Sequence, residues 1–216
     1  MKNTINFLLV GVGGQGTILA SNLLAEAGLA TGLEAKQAEV HGMSQRGGSV
    51  TSHVRWGKTV HSPLIGAGEV DIYLAFEQLE ALRYLNWLRP GGVAMINLDK
   101  VMPLSALSGE IPYPGEERLR AAVNGVTSHG FFIDAARIAT SLGNSRTANV
   151  VLLGALAQYL EENGPIDAEL DVPGLTREMW LKSLEAHLPP RYLELNRQAF
   201  QAGREALKVT GPVHEG

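Results

Sequence analysis

The chain has 216 residues, of which 45% are hydrophobic and 19% charged, with a formal net charge of −4. This is the composition of an ordinary folded domain, and the lack of a Lys/Arg cluster argues against nucleic acid as a partner. The sequence contains no cysteine, which excludes disulfides, cysteine-ligated zinc and cysteine-ligated iron–sulfur clusters on this chain.

The first elements predicted along the chain are a strand, a helix and a second strand. The apolar run INFLLV at 5–10 is bounded by glycine and predicts a buried strand. Apolar residues then recur at helical spacing over 15–31, and Gly32 ends this helix. Residues 34–40, EAKQAEV, predict the next strand, which we expect to be buried as well.

The next segment alternates between two kinds of side chain, which is typical of a half-exposed strand at 49–56. One predicted face carries Val50, Ser52, Val54 and Trp56, and the other, towards solvent, carries Thr51, His53 and Arg55. Gly57 and Lys58 predict a two-residue hairpin turn into a further antiparallel segment, TVHS, at 59–62.

The rest of the chain continues the alternation of strands and helices. Buried strands are predicted at 70–76 and 93–97, and a strand followed by a turn is predicted within 126–134. Helices are predicted at 77–88, 115–124, 135–143, 145–164, 176–187 and 191–208. Alternating strands and helices of these lengths indicate an α/β fold with a mostly parallel sheet covered on both faces.

We therefore predict a three-layer, Rossmann-like sheet with an antiparallel hairpin and a C-terminal helical arm. The predicted domain covers 1–165, and the helical extension at 166–216 packs on it or on a partner. The N-terminal apolar run is too short for a signal peptide, and no stretch of about 18 apolar residues predicts a membrane span. A cytoplasmic location without a membrane partner is expected.

The loop after the first strand reads Gly11-Val12-Gly13-Gly14-Gln15-Gly16, a G-x-G-x-x-G pattern. With Glu39 near the end of the next strand, it matches the dinucleotide fingerprint, in which glycines let a pyrophosphate approach a helix N-terminus. A tight strand-to-helix turn needs the same glycines without any ligand. The pattern alone does not decide between these interpretations.

A second segment, HGMSQRGGS at 41–49, is more polar than a loop that only reverses the chain requires. Together with VGVGGQG before it and NVVLLGALA downstream, the longer stretch EVHGMSQRGGSVTSHVRWG resembles the small subunit of indolepyruvate:ferredoxin oxidoreductase. More broadly, the chain is similar to the gamma subunit or domain of the 2-oxoacid:ferredoxin oxidoreductases. The resemblance extends from about residue 5 to about residue 160.

The resemblance implies a non-redox subunit of a thiamine-dependent enzyme. In such enzymes a 2-oxo acid is decarboxylated on thiamine diphosphate, iron–sulfur clusters pass electrons to ferredoxin, and coenzyme A accepts the acyl group. The sequence agrees, since it has no cysteine and no thiamine signature. Thiamine diphosphate, magnesium and the clusters are therefore expected on a large partner subunit, with ferredoxin met only indirectly.

Arg46 is the residue of the polar segment on which we place most weight. Its guanidinium can bind a carboxylate or phosphate in a bidentate way, and coenzyme A supplies phosphates. The flanking glycines leave room for a ligand or a partner backbone. We expect the segment to face the subunit interface, without catalytic residues on this chain alone. The interface or ligand candidates are Gly11, Gly13, Gly14, Gln15, Gly16, His41, Gly42, Ser44, Gln45, Arg46, Gly47 and Gly48.

Other patterns carry less functional information. The six histidines show neither H-x-H nor H-E-x-x-H spacing, so no metal site is predicted, and no G-x-S-x-G elbow suggests a hydrolase. Asn144 is a predicted helix cap, and Arg146 and Asn149 share a face of that helix, for which a purely structural role is favoured. Gly154 is expected to allow close approach of another element.

Two other functions remain open at this point. One is a free-standing dinucleotide-binding protein that uses the glycine loop, and the other is an assembly scaffold without ligand contact. Against NAD, the chain has no second half of comparable size to hold a hydride acceptor. The polar segment also follows the strand where an adenosine ribose would lie, which suggests a different use for that edge.

Overall fold

The computed structural model describes residues 4–41, 48–102, 113–164 and 175–210. Its strands are β1 (Thr4–Val12), β2 (Glu34–His41), β3 (Ser49–Gly57), β4 (Val70–Ala75), β5 (Leu88–Asn97) and β6 (His129–Ile133). Its helices are α1 (Thr17–Ala30), α2 (Gln78–Arg83), α3 (Glu116–Asn124), α4 (Ala135–Ser141), α5 (Ala148–Asn163), α6 (Arg177–His187) and α7 (Pro190–Thr210). Short 3₁₀ turns lie at Leu85–Trp87 and Ser145–Thr147. Within these ranges, no helix has the length and apolar character needed to cross a membrane.

The described strands form one six-stranded sheet in the order β2-β3-β1-β4-β5-β6. β1, β4, β5 and β6 are parallel neighbours, whereas β3 runs antiparallel to both β1 and β2. Leu9 of β1 pairs with Ser52 of β3 on one side and with Leu74 of β4 on the other. The predicted mostly parallel, Rossmann-like sheet with an antiparallel element and C-terminal helices is confirmed, although the antiparallel hairpin does not lie at 49–62 as predicted.

Alternate side chains of the central strand β1 enter hydrophobic cores on opposite faces of the sheet. Phe7 and Leu9 are fully buried in the core that α1, α5 and the C-terminal helices cover. Leu8 and Val10 are buried in the other core, against α2 and α3. This period of two follows from the pleat of a strand. Because both faces are covered, a central strand reads as a continuous apolar run.

β2 is an edge strand, so the prediction that residues 34–40 are buried is wrong. Its side chains are half-buried or exposed, and Val40 is 50% exposed. The charged residues Lys36 and Glu39 fit such an edge. In the Rossmann strand order the second strand lies directly beside the first, but here β3 lies between β1 and β2.

β3 is buried on both faces, so the prediction of a half-exposed strand is also wrong. Ser52 is 0% and His53 is 3% exposed. The segment 58–69 folds over the face that was predicted to meet solvent, and the Ile65 backbone N–H donates to His53 Nδ1 at 3.3 Å. No strand forms at 59–62; the antiparallel hairpin consists of β2 and β3 instead.

The single helix predicted at 77–88 is shorter than expected. α2 ends at Arg83, and β5 already begins at Leu88, which pairs with Val70 of β4. The helix begins where the Glu77 side chain accepts a hydrogen bond from the Glu80 backbone N–H at 2.9 Å. The strand prediction missed the first residues of β5 because they include a proline and two glycines.

The C-terminal helices pack on the sheet domain. A Cβ atom placed on Gly154 of α5 would lie 2.0 Å from the Phe200 backbone oxygen of α7, so the predicted close approach at Gly154 is confirmed. A Cβ atom on Gly203 of α7 would in turn lie 1.8 Å from the Val151 backbone oxygen. α6 packs against α1, where Ser183 Oγ donates to Glu26 at 3.0 Å.

Candidate functional site

The glycine loop makes a tight turn from β1 into α1. Gly14 and Gly16 adopt φ values of 108° and 77°, a left-handed region that other residues rarely occupy. Gly11 is favoured for a different reason, since a Cβ atom there would lie 2.9 Å from Gln15 Oε1 and 3.1 Å from Phe76 Cβ and would push against both side chains. The loop therefore needs these glycines for its own geometry, whether or not a ligand is present.

Gln15 joins the carboxyl ends of three neighbouring strands. Its Oε1 accepts from the Val12 backbone N–H at 2.8 Å. Its Nε2 donates to the Phe76 carbonyl and to Asp99 Oδ2, each at 3.1 Å. The side chain thus spans the ends of β1, β4 and β5, and its hydrogen bonds fix the loop.

Asn149 holds the other side of the loop, a role that the sequence did not reveal. It is 3% exposed, and its Nδ2 donates to the Gly16 carbonyl at 3.1 Å. A Cβ atom on Gly16 would lie 2.4 Å from this amide nitrogen. From the sequence, the spacing of Arg146 and Asn149 predicted only that they lie on the same face of the helix. Asn144 caps the 3₁₀ turn before α5, as predicted, by accepting from the Arg146 backbone N–H at 3.0 Å.

A cavity of about 440 Å³ lies beside the loop on the β3 side and is lined by Gly13, Gly14, Gly16, Thr17, Ile18, Glu39 and Val50. Among the residues that the structure describes, no side chain caps the first turn of α1, and free backbone N–H groups at a helix N-terminus can bind an anion. Glu39 lines this cavity from β2, separated from β1 by β3. Two strand spacings place it about 9–10 Å from β1, which is farther than the dinucleotide fingerprint requires.

The polar segment at 41–49 adjoins this loop at its C-terminal end. The Gly48 carbonyl accepts a hydrogen bond from the Gly13 backbone N–H at 2.9 Å. The backbone of His41 pairs with Val50 in the β2–β3 ladder. The His41 side chain lies outside the described structure, as do Gly42, Ser44, Gln45, Arg46 and Gly47. The site predictions for these residues therefore remain predictions.

Ser49, the last residue of the polar segment, is held by groups on and next to α2. Its hydroxyl donates to Glu80 Oε2 at 2.5 Å and lies 2.9 Å from the Tyr84 hydroxyl. Burial raises the pKa of Glu80, while the hydrogen bond from Ser49 and the nearby Arg83 act in the opposite direction. This contact fixes the start of β3 beside the glycine loop.

A second buried carboxylate, Glu77, lies one turn before Glu80. It is 1% exposed and accepts hydrogen bonds from the Tyr113 hydroxyl and from the Val101 backbone N–H, the latter at 3.2 Å. Burial, together with the hydrogen bond to Glu77, raises the pKa of Tyr113. Neither carboxylate was found from the sequence, because their partners lie 24 to 36 residues away along the chain.

The histidines do not converge on a metal site in the part of the chain that the structure describes. No group of three or more His, Cys, Asp or Glu side chains there could hold a metal ion. His53, which was predicted to face solvent, accepts a backbone hydrogen bond and packs edge-on against Trp87 at 5.5 Å between ring centroids. Burial lowers the pKa of His53 and thus favours the neutral ring in the core.

The chain is similar in sequence to known oxidoreductase subunits over most of its length. The family model described as pyruvate ferredoxin/flavodoxin oxidoreductase matches residues 6–206. The indolepyruvate oxidoreductase subunit IorB of Thermococcus kodakarensis is 37% identical over 206 residues, which cover 94% of this chain and 96% of that protein. The resemblance noted from the sequence motifs is thus confirmed.

Solved structures agree with this result. The gamma subunit of a keto/oxoacid ferredoxin oxidoreductase from Geobacter sulfurreducens matches with a TM-score of 0.66 and 27% identity, over 95% of this chain and 99% of that one. A 2-oxoglutarate:ferredoxin oxidoreductase from Magnetococcus marinus, solved with 2-oxoglutarate, coenzyme A and succinyl-CoA bound, matches with a TM-score of 0.72. At 18% identity over 99% of this chain and 32% of that one, it supports the fold.

Proposed function

The chain belongs to the pyruvate ferredoxin/flavodoxin oxidoreductase family, and on this basis we propose that it is the non-redox subunit of a thiamine-dependent 2-oxoacid:ferredoxin oxidoreductase. The observation that carries the proposal is the 37% identity with an indolepyruvate oxidoreductase subunit over nearly the full length of both chains. The substrate class that follows is an aryl 2-oxo acid such as indolepyruvate.

The composition of this chain supports a division of labour between the subunits. Without cysteine it cannot supply thiolate ligands to iron–sulfur clusters. We place these clusters, thiamine diphosphate and magnesium on the large partner subunit. There the 2-oxo acid loses carbon dioxide, its electrons pass through the clusters to ferredoxin, and coenzyme A takes the acyl group. Ferredoxin therefore meets the partner rather than this chain.

The contribution of this chain is to shape the coenzyme A region at the subunit interface. Three features support this role: the first turn of α1, which no described side chain caps, the cavity beside it, and the hydrogen bond from Gly13 to Gly48, which ties the end of the polar segment to the loop. Backbone N–H groups at a helix N-terminus bind phosphate well. Arg46, carried by this segment, is proposed to meet a phosphate of coenzyme A or a carboxylate of the partner.

A free-standing dinucleotide-binding protein is not favoured. In the Rossmann arrangement, the acidic residue that binds the ribose lies on the strand next to β1. In this chain that place belongs to β3, and Glu39 lies one strand farther out. The near full-length match to an oxidoreductase subunit also supports a partner, which a free-standing protein would not need.

The substitution Arg46→Ala tests the proposed site in the assembled enzyme. Loss of a charge-assisted hydrogen bond costs about 1.5–3 kcal/mol, which corresponds to roughly a ten- to hundredfold loss in the affected step. We expect either the Michaelis constant for coenzyme A or the dissociation constant of the complex to rise by this factor. Turnover against coenzyme A concentration, together with a binding titration of the subunits, distinguishes the two.

A matched control is Lys58→Ala, which removes an exposed cation just beyond the opposite end of β3. It should leave both constants unchanged. The melting temperature of the free chain should change little with Lys58→Ala, since exposed-site changes usually cost less than about 0.5 kcal/mol, and we expect the same of Arg46→Ala. Wild-type kinetics and wild-type assembly in the Arg46→Ala enzyme would reduce Arg46 to an ordinary surface residue and remove the proposed role of the polar segment.

A further inference from the structure

A second cavity lies on the other side of the glycine loop and is not used by the proposed function. It has a volume of about 370 Å³ and opens at the carboxyl ends of β1, β4 and β5. From β1 the chain leads through α1 to β2 and β3 on one side of the sheet, whereas β4 and β5 follow on the other side. Ligands of open α/β sheets bind at such a switch point, outside the carboxyl ends of the strands.

The walls of this cavity are built from amide side chains that are already fixed. Gln15 makes the three hydrogen bonds described above. Asn97, 1% exposed, donates to the Phe76 carbonyl at 3.1 Å and accepts from the Ala135 backbone N–H at 3.0 Å. Asn149 is held by Gly16. A polar wall with satisfied hydrogen bonds is pre-organised, and it favours a polar ligand over an apolar one.

The two charged side chains that line the cavity differ in whether they have hydrogen-bond partners. The Asp99 carboxylate is satisfied, since its oxygens accept from Gln15 Nε2 at 3.1 Å and from the Lys100 backbone N–H at 3.0 Å. Arg146 lines the same cavity, and its guanidinium forms no hydrogen bond or ion pair with any residue that the structure describes. The hydroxyl of Ser145, beside it, is also without a partner within those residues. The unpaired charge at this cavity is therefore positive.

Arg146 and Ser145 belong to the 3₁₀ turn that leads into α5, so the N-terminal end of that helix points to the same wall. The positive end of the helix dipole and the guanidinium fork both favour an oxyanion. We propose that this cavity binds an oxyanion, either a phosphate or a carboxylate group of a small molecule, with Arg146 as its charged ligand and Ser145 as a neutral donor. This cavity shares Gly14 with the glycine-loop cavity but lies on the other side of the loop, and the proposal does not depend on the partner subunit.

The size and polarity of the cavity narrow the ligand class further. Ligand pockets usually measure about 300–1,000 Å³, so a volume of about 370 Å³ admits a small molecule or one end of a larger one. The Asp99 carboxylate on the wall disfavours a second negative group next to Gln15. A ligand with a single anionic end and a neutral remainder fits this distribution best.

Titration of the free, full-length chain tests the proposal with two probes at constant ionic strength, inorganic phosphate for the phosphate source and pyruvate for the carboxylate source. Binding is followed by calorimetry and by the backbone amide NMR signals of Ser145 and Asn149. We expect one or both probes to bind and to shift these signals. Binding of phosphate alone assigns the site to phosphate ligands, and binding of pyruvate alone assigns it to carboxylates.

Three variants locate the binding. Arg146→Ala should raise the dissociation constant of the probe that binds by ten- to hundredfold. Arg146→Lys should retain part of the affinity, because the positive charge remains but the bidentate geometry of the guanidinium is lost. Arg137→Ala serves as the control, because Arg137 is an exposed arginine that is paired with Asp134 at 3.0 Å and does not line the cavity. Absence of binding by both probes up to about 10 mM, a very weak affinity, would overturn the proposal, as would wild-type affinity in Arg146→Ala.

Discussion

Replacement of Gln15 by glutamate tests whether this side chain is the clamp of the glycine loop. The substitution preserves size and leaves an oxygen to accept from the Val12 N–H, now at 2.8 Å. It removes the two donor contacts at 3.1 Å, to the Phe76 carbonyl and the Asp99 carboxylate. It also places a second carboxylate against Asp99. The chain should therefore lose stability although no volume is lost.

The size of the effect follows from the two lost bonds. A hydrogen bond to a charged group contributes about 1.5–3 kcal/mol and one to a neutral carbonyl about 0.5–1.5 kcal/mol. The free energy of unfolding should thus fall by about 2–4.5 kcal/mol, which lowers the melting temperature of a chain of this length by roughly 4–18 °C. Urea unfolding of the wild-type and variant chains measures the first quantity, and calorimetry measures the second.

A double-mutant cycle with Asp99→Asn isolates the contact between the two side chains. An amide at position 99 can donate to the introduced carboxylate, so the double variant should recover at least about 1 kcal/mol relative to the sum of the single changes. Strictly additive losses of unfolding free energy, or an unchanged melting temperature in Gln15→Glu, would refute the assignment of Gln15 as a clamp. Gln15 would then be a half-buried residue whose hydrogen bonds do not stabilise the loop.

Other properties of the chain are open to simpler measurements. Gly154→Ala should lower the free energy of unfolding by about 1–3 kcal/mol, because the new methyl group would meet the Phe200 carbonyl. Gly125→Ala, whose new methyl group would have its nearest contact at 3.4 Å, should change stability little. If both variants melt like the wild type, the close approach of α5 and α7 at Gly154 does not contribute to stability. The pKa of His53 in the folded chain is lower than its ordinary value of 6.5. As the pH falls below 6.5, the unfolded chain therefore binds a proton at His53 before the folded chain does, and the free energy of unfolding should decrease. His53→Gln should make the urea midpoint less sensitive to pH below 6.5, and an unaltered slope would contradict this explanation. NADH titrated into the free chain and followed by fluorescence should not bind tightly; a micromolar dissociation constant, about −8 kcal/mol, would favour the dinucleotide-binding alternative.

The sequence predicted the elements whose signals are local. The strand at 5–10, the glycine turn and the long helix closed by Gly164 were all found, because a buried strand, a left-handed glycine and an apolar helix are visible within a few residues. The cap at Asn144 belongs to the same class, since a cap and its partner lie within one turn. The family motifs gave the function class in the same way.

The errors arise where the outcome depends on distant residues. Burial of His53 depends on the segment 58–69 folding over β3, and the exposure of β2 depends on the strand order, neither of which is encoded in the alternation of side chains. The roles of Asn149 and Glu80 are set by contacts with Gly16 and Ser49, which lie 133 and 31 residues away along the chain. Sequence periodicity can place such residues on a face but cannot name their partners.

Isolation of the chain with its native partner tests the proposed function most directly. The chain is tagged, purified from its own cells without oxygen, and compared with the same chain purified alone. We predict a brown complex that contains thiamine diphosphate and iron and reduces a viologen dye with arylpyruvates and coenzyme A, while the chain alone is colourless and inactive. Recovery of the chain without any such partner, or dye reduction by the chain alone, would contradict its assignment as a non-redox subunit.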